Sequence, residues 1–139
     1  MRKQGSVSEF TSQRDAEIVK KFRRCLAQAR VLDMDEIFMK VSRLPVERFY
    51  VSEVRALQVV KAYRQTGIWP VRTPVRREMF AEIDRRVTML MSRRPELKFR
   101  EAVFEVVNSP APSFYLTPRS CRTLIYSVLQ RVRRKKSGF

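Results

Sequence analysis

The chain has 139 residues, enough for one ordinary domain or two small units sharing a core, and a hydrophobic fraction of 44% lets most of that length fold. Thirty Lys and Arg against 14 Asp and Glu leave a net charge of +16. A fold does not need this excess, and a phosphate surface rewards it through counterion release. With no histidine, two cysteines and three glycines, the composition argues against a zinc site, a histidine base, a disulfide framework and a glycine-rich phosphate loop. The expected protein is therefore not an enzyme and uses no cofactor or metal.

In chain order, residues 1–11 are polar at first and read as a disordered N-terminus. Thr11 or Ser12 then caps a helix whose apolar stripe is Ile18, Phe22, Cys25, Leu26 and Ala29. Asp33 with Glu36 forms a capping-box pattern for a short second helix carrying Ile37, Phe38 and Val41, and Pro45 ends that region. The neighbouring Asp35 adds to an acidic cluster that helix capping and the helix dipole explain without a metal. Ser52 caps a third helix with Ala56, Val59, Val60 and Tyr63 facing inward. Gly67 suits its C-terminal cap and opens a linker over 67–73. Trp69, in that linker, reads as a plug between two units, with a wedge into nucleic acid as the alternative.

Thr73 and Pro74 open a fourth helix with Ile83, Val87, Leu90 and Met91 as its stripe. Phe99, Val103 and Val106 belong to a fifth. Thr117 and Pro118 start a sixth, with Cys121, Leu124, Ile125, Val128 and Val132 inward and a basic tail over 133–139. Val51 and Leu116, just before the caps of the third and sixth helices, can staple onto Ala56 and Cys121. No convincing period-two segment is present, so the fold class is all-α. No apolar run reaches membrane-spanning length and the N-terminus lacks a hydrophobic signal core, which together point to a cytoplasmic protein without a membrane partner.

Sliding the sequence by 65 residues aligns it with itself without a gap. Ala16, Glu17 and Ile18 fall on Ala81, Glu82 and Ile83, and Leu32, Glu36 and Val41 on Leu97, Glu101 and Val106. Pro45, Phe49, Tyr50, Val51 and Ser52 fall on Pro110, Phe114, Tyr115, Leu116 and Thr117, a shared P-x-x-x-F-Y-[VL]-[ST] pattern. The reading is a tandem duplication: one three-helix repeat over 12–66 and another over 74–132.

A short second helix followed by a capped third resembles helix-turn-helix DNA-binding proteins. That resemblance implies that the third helix enters the major groove and reads base edges with its first turns. The segment from Arg43 to Val51 is longer than the usual turn, which leaves the crossing angle open. The P-x-x-x-F-Y-[VL]-[ST] stretch also resembles small uncharacterised proteins of Bacteroidetes genomes and mobile elements, a resemblance that carries no activity with it.

Helical spacing puts Arg119, Arg122, Tyr126, Gln130 and Arg133 on one stripe of the sixth helix, flanked by Ser120, Thr123 and Ser127. This is the mixture a groove-entering helix needs, and Arg133, Arg134, Lys135 and Lys136 beyond it suit phosphate backbone. A merely solvated stripe is the competing reading. The matching face of the third helix carries Val54, Leu57, Lys61, Arg64 and Gln65 with Glu53 at its start, so the first repeat is expected to pack on its neighbour or on a second subunit, as in a homodimer. Residues 66–139 hold 16 basic against 6 acidic residues, net +10, and residues 1–65 hold 14 against 8, net +6, which assigns binding to the second half. Duplex DNA is the expected partner. RNA, or an acidic partner of a phage or conjugative assembly protein, are the alternatives.

Overall fold

The computed structural model describes the backbone of residues 2–137 and the side chains of residues 10–135. Among them the fold is all-α, with α1 (Arg2–Gln28), α2 (Met34–Arg43), α3 (Glu53–Thr66), α4 (Pro74–Arg93), α5 (Phe99–Val107) and α6 (Pro118–Ser137). The helix ends follow local chemistry. The Asp33 carboxylate accepts from the Glu36 N–H at 3.3 Å, and the Ser52 hydroxyl accepts from the Arg55 N–H at 3.0 Å. Gly67 closes α3 in the left-handed region at φ 75°, where a Cβ would be strained. Thr117 accepts from the Ser120 N–H at 3.1 Å and caps α6. Two boundaries differ from the sequence reading. The helix α1 begins at Arg2, within the segment expected to be disordered, because no proline interrupts it before the expected cap. The helix α6 likewise continues through Arg133 to Ser137, so most of the expected tail is helical.

The helices do not pack in chain order. α1, α2 and α6 pack on one another to form one lobe, and α3, α4 and α5 form the other. Each third helix thus seats on the first two helices of the opposite half, and the contiguous units 12–66 and 74–132 are not the packing units. Consecutive helices α2 and α3 do not pack on each other, nor do α5 and α6, and that is the contact a helix-turn-helix requires.

The crossing is made by the two connectors that precede α3 and α6. Val46 and Ala111 exchange both backbone hydrogen bonds, each at 2.9 Å, as an isolated antiparallel bridge. Beside it Phe49 stacks on Tyr115 with ring centroids 6.1 Å apart, and Tyr50 stacks on Phe114 at 5.9 Å. Residues 65 apart therefore meet or occupy reciprocal places here. The same holds for the cations that tie each connector to its own first helix: Lys21 donates to the Pro45 carbonyl and Arg86 to that of Pro110, each at 2.6 Å. Glu17, buried on α1, accepts from the Tyr50 hydroxyl and from the Glu47 N–H, and pairs with Lys21 at 3.1 Å. Burial, and next the bond to Glu17, raises the Tyr50 phenol above its ordinary range.

Phe49 is fully buried and Phe114 is 4% exposed, so both rings anchor the crossing as large core aromatics. Replacing either by alanine should cost about 3–5 kcal/mol in a denaturant melt. A loss below about 1 kcal/mol would show that the crossing does not depend on these rings.

Candidate nucleic-acid interface

Helix α6 is attached to its lobe along one side only. Cys121, Ile125 and Val128 are buried, and Leu124 and Leu129 are half-buried against the core. The opposite side is open. Arg119, Ser120, Arg122, Thr123, Tyr126, Gln130, Arg133, Arg134 and Lys135 are all exposed, as the helical period requires of positions off the apolar stripe. The side chain of Lys136 lies outside the described residues. Tyr126 is held at one edge: it packs edge-to-face on Phe38 of α2 at 5.6 Å, and Arg122 lies over its ring at 5.8 Å. Thr123 returns its hydroxyl to the Arg119 carbonyl at 3.1 Å.

The helix carries seven Lys and Arg and no acidic residue. Among the described residues no carboxylate pairs with Arg119, Arg122, Arg134 or Lys135. Arg131 of α6 pairs with Asp15 of α1 at 3.0 Å. In the other lobe, arginines of α3 and α4 are paired with carboxylates of α4. Arg64 reaches Asp84 at 2.6 Å and Thr88 at 2.7 Å. Arg85 and Arg86 both close on Glu82 at 2.7 Å, Arg85 foremost in holding that carboxyl down at about 2.

Because third helices are exchanged, the charge of each half of the sequence is not the charge of a region in space. Helices α1, α2 and α6 carry 16 basic against 5 acidic residues, net +11, whereas α3, α4 and α5 carry 9 against 6, net +3. The cationic character belongs to the lobe of α6, and α1 is its other contributor. Lys20 and Arg23, not among the residues expected at the site, share a groove with Arg131 and Lys135 of α6. They carry no local signal in sequence, since their value depends on which helix lies beside α1.

The flank toward α2 differs. Asp35, Phe38 and Met39 line a recess with Pro118, Arg119 and Arg122, so an acidic residue stands near the first turns of α6. Trp69 is half-buried against the core and stacks flat on Tyr63 at 3.8 Å at the end of α3. On the expected subunit-contact face of α3, Leu57 is half-buried and Arg64 bonds within the chain, whereas Val54, Lys61 and Gln65 are exposed. Among the described residues no three His, Cys, Asp or Glu side chains converge to hold a metal ion, and no helix is long and apolar enough to cross a membrane.

No family model, curated protein or solved structure matches this chain.

Cys121 tests the seating of α6 directly. Its thiol is fully buried, and burial, with the neighbouring Cys25 adding to it, pushes it up to about 12. At pH 8 the native protein should leave Cys121 unalkylated by iodoacetamide, and denaturant should expose it to rapid labelling, as read by peptide mass mapping. Rapid native labelling would contradict the packing of α6 on α1.

Proposed function

We propose that this protein binds duplex DNA, in a regulatory or architectural role, by laying α6 along the major groove. The observation that carries this reading is α6 itself: a 20-residue helix with seven cations, no carboxylate and one fully open side. A helix about 10–12 Å across with its side chains fits the B-form major groove, about 12 Å wide, whereas the A-form groove of duplex RNA is too deep and narrow for side chains to read. DNA is favoured for that reason.

The roles along the helix follow from position. Arg119 and Arg122 stand in the first turns beside Asp35, whose charge disfavours a phosphate there and leaves the neutral edge of a guanine as the better partner. Ser120, Thr123 and Ser127 are small enough for close approach, and Tyr126 and Gln130 supply an edge and an amide. Arg133, Arg134, Lys135 and Lys136 continue along the helix and suit phosphates. We further infer that the chain arose by tandem duplication, supported by the gapless 65-residue correspondence and by the reciprocal contacts of Val46 with Ala111 and of Phe49 and Tyr50 with Tyr115 and Phe114. The two copies then diverged, one third helix keeping the leading arginines and the other carrying Val54 and Leu57 in their place.

Binding isotherms on a preferred duplex, selected from a random pool, and on its scrambled counterpart test the reading. Affinity should fall by orders of magnitude between low and moderately high salt, with a steep log–log slope. Arg119→Ala or Arg122→Ala should cost about 1–3 kcal/mol on the preferred duplex and flatten discrimination. Deleting Arg133 to Lys136 should weaken both duplexes alike. A salt slope near zero would contradict polyanion binding, and equal losses on both duplexes for the Arg119 and Arg122 variants would make the role architectural and sequence-blind.

A further inference from the structure

Between α1 and α6 runs an open groove of about 640 Å³. Lys20 and Arg23 stand on its α1 side and Arg131 and Lys135 on its α6 side, over a floor that includes Val19 and Val128. We infer that this groove seats one phosphodiester strand of the bound duplex, so that α1 grips the backbone while α6 occupies the major groove. The inference rests on the DNA-binding reading of α6 and adds a second helix, from the other end of the chain, to the site.

Four observations support it. First, Asp15, the carboxylate that lines the groove among the described residues, is already spent. One Asp15 oxygen takes Arg14 at 3.0 Å and the other takes Arg131 at 3.0 Å, so it does not repel a phosphate. Second, Lys20, Arg23 and Lys135 are exposed and have no carboxylate partner among the described residues. Third, the two flanks of α6 are electrostatically unequal. The flank toward α2 presents Asp35, whereas the flank toward α1 presents cations on both sides. A strand beside α6 is therefore directed to the α1 flank. Fourth, the corresponding place in the other lobe, between α3 and α4, is bridged by Arg64 reaching Asp84 and Thr88. The small valine floor carries no aromatic ring for base stacking, which fits a backbone strand and not splayed single-stranded bases.

The experiment compares the full chain with a Lys20→Ala/Arg23→Ala double variant and a control double variant, Arg72→Ala/Arg77→Ala. The control removes the same charge at exposed positions away from α1 and α6. Both exchanges lie on the surface, and a thermal melt by circular dichroism verifies that each folds like the parent. On a mixed-sequence 20-bp DNA duplex, the Lys20/Arg23 variant should lose about tenfold or more in affinity at moderate salt and shallow the log–log salt slope by about two, equally for every sequence. The control should change affinity by less than about threefold. Equal effects of the two variants would overturn the inference while leaving the α6 reading in place. A parent chain that does not bind duplex at all would instead overturn the α6 reading. Loss of binding to an acidic helical peptide, with duplex affinity unchanged, would reassign the groove to a protein partner and overturn the inference as well.

Discussion

The reciprocal hydrogen bonds between Val46 and Ala111 are the constraint on which the remaining architecture depends. An isolated backbone pair of this kind contributes only about 1–3 kcal/mol, yet it sits where the two connectors must cross. It is flanked by two stacked ring pairs that bury Phe49 and Phe114. Once the connectors are pinned in this way, each following helix leaves on the far side of the crossing and can reach only the first two helices of the opposite half. The intertwining is thus a consequence of one local junction. The carbonyls of Pro45 and Pro110, each held by a cation from the preceding helix, fix the direction in which each connector arrives. Tyr115 adopts a left-handed backbone conformation at φ 55°, a strained choice for a tyrosine that its stack on Phe49 supports.

The exchange also decides where charge accumulates. In the lobe of α3, α4 and α5, Asp84, Glu82 and Glu105 pair with Arg64, Arg85 and Arg94. Seated on α1 and α2, α6 meets Lys20 and Arg23 across a groove lined by the already doubly paired Asp15, with Asp35 on its other flank. Cations of one sign within a Debye length of one another, about 8–10 Å, add their fields over a phosphate instead of being screened separately. A net +11 in one lobe against +3 in the other therefore makes a directional surface from a chain whose sequence halves differ much less.

Helix existence, most ends and most of the buried faces were legible because they depend on local chemistry, although Val132, expected inward on α6, is 41% exposed. Ser52, Gly67, Thr117 and Pro74 mark boundaries through caps and missing donors that need no knowledge of the tertiary fold. The burial of Phe49 and Phe114 was legible for a related reason: a ring fixed just before a cap has little choice but the core. Partner choice was not legible. Ala56 and Val60 of α3 match Cys121 and Ile125 of α6 at the 65-residue spacing, so either helix presents a stripe that fits either pair of first helices. Periodicity tells which face is buried, not what covers it. The exposed face of α6 could be read from its stripe, whereas Lys20 and Arg23 could not, since their neighbours are set by the exchange. The start of α1 at Arg2 was missed because polarity alone does not break a helix that lacks proline.

On the proposed function, the polyanion surface belongs to the lobe of α1, α2 and α6 and not to a contiguous half of the chain. Amide hydrogen exchange of the full protein, with and without a 20-bp DNA duplex at low salt, measures this most directly. Added protection on binding is expected in α6 and in α1 around Lys20 and Arg23, with α3 and α5 unchanged. Protection spread over α4, α5 and α6, with α1 unaffected, would contradict it.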